Sequence, residues 1–179
     1  MKHKTEFAAD LVCLLAAALL QDILPVTSSW PVKFPFLTAV AVWMAVKRSA
    51  EESLVCALWA GLLTDALGGL PLLCTSCFLF CLYGIVRFLL RLDPAPAFWR
   101  VVLFCGAAAP FQVLWIQFWM GGEWPLSFVQ ILARCALALP AGLVAGTVGM
   151  ALVAGLDHLS GRRQASETGH GIFQAEING

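Results

Sequence analysis

Residues 98–120 read FWRVVLFCGAAAPFQVLWIQFWM, twenty-three residues with a single charge, Arg100, near the start. As a helix this stretch would rise about 34 Å at 1.5 Å per residue. The hydrocarbon core of a bilayer is about 30 Å thick, and a crossing needs about 20 mostly apolar residues. The stretch therefore reads as a membrane-spanning helix, and its neighbours repeat the pattern. Leu72 to Leu92 forms a second such run upstream, ahead of a short polar turn. Leu126 to about Leu156 forms another downstream, too long for one straight crossing. Tilt, a kink at Pro140 or an interfacial start would each accommodate it.

Three further candidates lie toward the N-terminus. Phe7 to Leu24 follows the basic start Lys2, His3, Lys4. It has the look of a signal peptide, but Ala16-Ala17-Ala18 sit inside the apolar run and more spans follow, so it reads as an uncleaved first helix. Phe34 to Val46 is short and flanked by Pro31 and Pro35. Glu51 to Leu70 starts behind a capping-box pattern, Ser49 with Glu52, and ends at Gly68-Gly69 and Pro71. The expected architecture is all-α: a polytopic transmembrane helix bundle of about six spans over residues 1–157. Residues 158–179 are rich in Gly, Ser, Gln, Glu and Arg, and read as a disordered cytoplasmic tail.

The whole-chain composition agrees. The 179 residues are 60% hydrophobic and 12% charged, whereas soluble domains run near 45–50% and about 25%. The formal net charge of +0 gives no sign of a nucleic-acid partner. All seven cysteines fall in apolar runs, where they behave as small hydrophobes. Cys74, Cys77 and Cys81 share a helical face, but no His or carboxylate stands close by in sequence, so helix packing is preferred to a metal site.

Basic residues near the span ends set the orientation. Six spans place Lys2, Lys4, Lys47, Arg48, Arg91, Arg100, Arg162 and Arg163 on one side and Lys33 alone on the other. Both termini are therefore expected in the cytoplasm, with the chain in the cell (inner) membrane. Trp30, Trp119 and Trp124 lie near proposed outer ends and Trp99 near an inner one, as an aromatic belt requires.

Charges inside hydrocarbon are costly and normally face protein. Asp65 stands fourteen residues beyond Glu51, and Arg134 eight beyond Leu126. The 1.5 Å rise puts them about 21 Å and about 12 Å along their helices, at similar depth in the outer half. An ion pair between them is one reading. The other is that Asp65 bonds a hydroxyl such as Thr64 or Thr75, or a turn amide. Arg87, near the inner end of its span, is expected to snorkel to the headgroups. Gln112, Gln117 and Gln130 are candidates for interhelical hydrogen bonds. Gly142 and Gly146 have GxxxG spacing, with Gly149 behind, and read first as internal packing. No Ser-His-Asp set, HExxH or Walker loop is present, so no catalytic residue, cofactor or metal site is expected.

Over roughly residues 11 to 92, the ending Gln21 to Pro25 of the first span, Pro35 and Trp43 of the short second one, and the run Gly61, Asp65, Gly69 in the third together resemble MreD, the rod shape-determining membrane protein family of bacteria. Leu20-Gln21-Asp22-Ile23-Leu24-Pro25 closes the first span, Pro35 opens a short second one containing Trp43, and the basic turn Lys47-Arg48 follows. Then comes Gly61-Leu62-Leu63-Thr64-Asp65-Ala66-Leu67-Gly68-Gly69-Leu70-Pro71-Leu72, close to the family's Gly-x-x-x-Asp-x-x-x-Gly run. Pro71 departs from the family's pattern, which often has a Gly in this neighbourhood. The resemblance implies a non-enzymatic scaffold or regulatory subunit of the cell-wall elongation complex. It implies partnership with an MreC-like protein, an MreB-like cytoskeleton, and the RodA and penicillin-binding-protein synthase pair, besides membrane lipid. Gly61, Asp65 and Gly69 carry the motif and are expected to be packing residues, with Arg134 the other intramembrane polar position. The competing reading is the substrate-binding membrane subunit of an energy-coupling-factor vitamin transporter. It needs a polar and aromatic cavity near the outer face, which Trp115, Gln112, Asp65 and Arg134 would supply.

Overall fold

The computed structural model describes residues 2–24, 32–93, 96–120 and 127–159. They form six helices: α1 (Lys2–Ile23), α2 (Phe36–Lys47), α3 (Ala50–Gly68), α4 (Cys74–Leu92), α5 (Phe98–Met120) and α6 (Phe128–Leu159). The described residues contain no strand, so the class is all-α as read from the sequence. The long sixth segment is one helix through Pro140 and takes in His158 and Leu159, two residues of the stretch read as tail. Residues 160–179 lie outside the described residues.

Three helices, α4, α5 and α6, are long and apolar enough to cross a bilayer. The other three differ for visible reasons. α1 carries Asp10 and Asp22 among its apolar residues, and α3 carries Glu51, Glu52 and Asp65. α2 is apolar on every side but has only 12 residues, about 18 Å of rise. A helix without a polar face must be covered all round. The fold does this by burying Phe36 through Ala45 without a break. α2 touches each of the other five helices, and it is the axis around which they stand.

The interior is packed with apolar groups such as Leu14, Leu37, Met44 and Leu79, and the exterior is apolar as well. Large apolar side chains face outward: Phe118 is 84% exposed, Phe128 78% and Val129 73%. Inside lie alanines and cysteines together with Asp10, Thr38, Ser53, Asp65, Thr75 and Gln112. Such a surface fits a chain surrounded by lipid tails, where small residues and polar bonds hold helices together.

Close approaches supply much of the packing. A Cβ at Gly142 would stand 2.6 Å from the Cys105 carbonyl oxygen on α5. The α6 glycine row therefore serves internal packing: Gly142 and Gly146 lie against α5, and Gly149 against Ala39 of α2. Trp43 of α2 donates its indole N–H to the Gly146 carbonyl at 2.8 Å, fastening the axis to the same row.

Candidate functional site

Polar groups gather at three places: the α3–α4 turn, the end of the bundle that carries the α2–α3 turn, and a cavity at the opposite end.

At the α3–α4 turn the Gly61, Asp65, Gly69 run builds a helical hairpin. Each residue has a separate task. Gly61 is where α4 comes closest, since a Cβ there would lie 2.4 Å from the Ser76 Cα. Gly69 ends α3 in the left-handed region, φ 61°, with its amide donating to the Asp65 carbonyl. Leu70 N–H donates to the same carbonyl at 3.0 Å. The chain turns through Pro71 to Leu73, whose φ of 71° is unusual for a side chain of that kind. Leu73 offers no cap of its own. Asp65 supplies it from across the turn: its Oδ1 accepts the Thr75 amide at 2.8 Å. A carboxylate at a helix N-terminus satisfies a free N–H and meets the positive end of the dipole. Of the two readings of Asp65, the turn amide is the one found. Asp65 forms no ion pair with Arg134.

At the α2–α3 turn Arg48 lies between two acids from opposite ends of the sequence. Its Nε and Nη2 donate to Asp10 Oδ1 on α1 at 3.1 and 3.0 Å. Nη2 also donates to Asp157 Oδ1 on α6 at 2.5 Å, and Lys47 Nζ lies 4.0 Å from Asp157 Oδ2. The Arg48 side chain is 8% exposed, that of Asp10 1% and that of Asp157 14%. Burial alone would lower the Arg48 pKa. Hydrogen bonds to Asp157 and Asp10, with their charges, outweigh it and hold the guanidinium above its ordinary value. Arg87 of α4 completes the knot, donating to the Arg48 carbonyl at 2.9 Å and the Ser53 hydroxyl at 3.0 Å. Arg87, expected to reach toward the headgroups, directs its head to the turn backbone. Five elements thus meet at one turn. The sequence reading counted Arg48 only as a topogenic charge and gave Asp10 and Asp157 no role. The signal was available: an acid within the first apolar run and another at the end of the last, both at the level of the basic turn.

At the opposite end a cavity of about 260 Å³ opens between the ends of α1 and α3, the start of α2, and α5 and α6. Gln21, Gln112, Gln117 and Arg134 line it, with Thr64 and apolar groups such as Val113 and Ile116. Gln112 Oε1 accepts the Thr38 hydroxyl at 2.8 Å, and Gln21 Oε1 accepts the Leu37 amide at 3.2 Å. Lys33 and Asp22, also lining, face each other at 3.7 Å. Arg134 forms no hydrogen bond or ion pair among the described residues. Of the four residues named for an outer cavity, Gln112 and Arg134 line it. Asp65 is committed to α4, and Trp115 gives its indole N–H to the Cys74 carbonyl at 2.9 Å. No protein-family model, no curated protein and no solved structure matches this chain.

Proposed function

We propose that the chain is a non-enzymatic scaffold or regulatory subunit of the bacterial cell-wall elongation complex. In this reading it crosses the inner membrane six times with both termini in the cytoplasm. Its partners are an MreC-like protein, an MreB-like cytoskeleton, and the RodA and penicillin-binding-protein synthase pair. The supporting observation is the α3–α4 hairpin. The three residues that carry the likeness to the MreD family, Gly61, Asp65 and Gly69, each do a distinct job in one turn. The short run builds one structural unit, which supports reading it as a motif. A bundle with turns this short recruits partners through helix faces. α4 packs closely on α3 and sparsely on α5, leaving an apolar cleft in which Val42 and Val46 of the axial helix are reached between Val86 and Phe104.

Depletion in the native host tests the role: rod cells that round up support it, and unchanged width and length count against it. Reporter fusions test the topology, which requires the Lys47 turn in the cytoplasm and Gly121 outside. The cavity around Gln112 and Arg134 favours one second reading, the vitamin-binding subunit of an energy-coupling-factor transporter. Nanomolar binding of a vitamin to the purified chain would select it.

A further inference from the structure

We infer that the cavity at the Arg134 end is a binding site for one phosphate-bearing anion, with Arg134 as its principal contact. This does not depend on the scaffold reading, because it follows from the charges and donors alone. Arg134 is six residues into α6, about 9 Å along the helix. A guanidinium at that depth needs a counter-charge. Asp65 is on α3, which does not pack against α6, and its carboxylate caps α4. Asp22, the acid lining the cavity, already faces Lys33. Those two cancel, so among the described residues the lining carries one net positive charge.

The neutral polar groups have the same sense. Gln21 and Gln112 are each 8% exposed. Both have their carbonyl oxygens engaged, by the Leu37 amide and the Thr38 hydroxyl. What each amide has left is its NH₂, which only donates. An arginine fork and two amide donors around a small space are suited to an anion with several acceptor oxygens. A volume of about 260 Å³ is below the range typical for drug-sized ligands. It has room for a phosphate and a short polar substituent. One net charge matches a phosphodiester monoanion, and walls such as Val32, Val113 and Ile116 suit a group that arrives with a lipid.

The test is native mass spectrometry of the full chain released from a neutral maltoside detergent. Separate titrations use phosphatidylglycerol, phosphatidylcholine and inorganic phosphate. The expected result is one phosphatidylglycerol retained at about tenfold lower concentration than phosphatidylcholine, whose phosphodiester offers the same oxygens but whose choline brings a positive charge toward Arg134. Arg134→Gln should abolish that preference and Arg134→Lys should keep part of it. If inorganic phosphate leaves the lipid in place, the headgroup is the natural source. If millimolar phosphate displaces it, the site stands and takes the free ion. Equal retention of both lipids with no effect of phosphate overturns the proposal, as does an Arg134→Gln protein with wild-type preference. The wild-type lipid comparison needs no variant, so it decides the matter even where a substitution prevents accumulation.

Discussion

Arg48 and Arg134 stand at opposite ends of the same bundle and are treated in opposite ways. Arg48 is almost fully buried and holds two carboxylates, from the first and the last helix, while its own carbonyl is held by Arg87. Arg134 lines an open cavity and forms no ion pair among the described residues. Both are cations in an apolar chain, but from sequence only Arg134 stands out as an exception to explain, since Arg48 reads as a basic residue at a span end. One is explained from within the fold, and the other has its explanation outside it. An arginine whose counter-ions are all in the chain is cement. An arginine without them, in a space lined by amide donors, is a recognition group.

The contrast is broken most forcefully at the cement. Arg48→Gln takes the guanidinium away from Asp10, a carboxylate 1% exposed. Removing one partner of a buried pair typically costs about 3–5 kcal/mol, so the variant should unfold at far lower denaturant in detergent or fail to accumulate. Adding Asp10→Asn to Arg48→Gln removes the buried negative charge as well, and the double variant should regain part of the loss. A double-mutant cycle on thermal unfolding reads the coupling directly. If Arg48→Gln unfolds like the wild type, the two arginines are not different in kind.

A smaller effect is expected at the α3–α4 hairpin, which belongs to neither end. Gly61→Ala drives a methyl to 2.4 Å from the Ser76 Cα. That contact is with backbone, so the helices must separate, at about 1–3 kcal/mol for an overpacked core site. Asp65→Ala should cost about 1 kcal/mol as a lost cap, within a range of about 0.5–2. Asp65→Asn should cost less, because its side-chain oxygen can still accept the Thr75 amide. An ion pair with Arg134 would reverse that, making Asn nearly as damaging as Ala. Guanidinium or detergent-denaturation midpoints of the two variants separate the cases.

The contrast also separates what the sequence disclosed from what it withheld. Six helical segments were legible because each is bounded by local chemistry: Ser49 ahead of α3, Gly69 after it, and long apolar runs between polar turns. Ser49 does accept the Glu52 amide, at 3.4 Å. The burial of α2 was half legible. Its twelve residues have no polar face, but only the packing shows that a short apolar helix became the axis. The Arg48 knot was not legible as a knot. Asp10 and Asp157 are 147 residues apart, and only the closing of the first and last helices around α2 brings them to one guanidinium. Asp65 was misjudged as a possible partner for Arg134 because depth along a helix was known and the arrangement of helices was not: α3 and α6 do not pack against each other. Similar height does not make two side chains face each other.

The least disruptive substitution should be at Arg134 itself, and this sharpens the comparison most. Arg134→Gln breaks no ion pair within the described residues and leaves no acid stranded. In neutral detergent its unfolding midpoint should match the wild type to within about 0.5 kcal/mol, the scale of surface changes away from buried networks. The same variant should behave differently once anionic lipid is present. A ligand that binds only the folded chain stabilises it by about 2.7 kcal/mol at a concentration one hundred times its dissociation constant. Wild-type protein should therefore gain stability as phosphatidylglycerol is added, while Arg134→Gln stays level. Arg48→Gln would show the reverse pattern, with a large loss in neutral detergent and a lipid response retained by whatever fraction still folds. If Arg134→Gln is as damaging without lipid as Arg48→Gln, Arg134 is a structural ion whose partner lies within the chain, and the two ends of the bundle work alike.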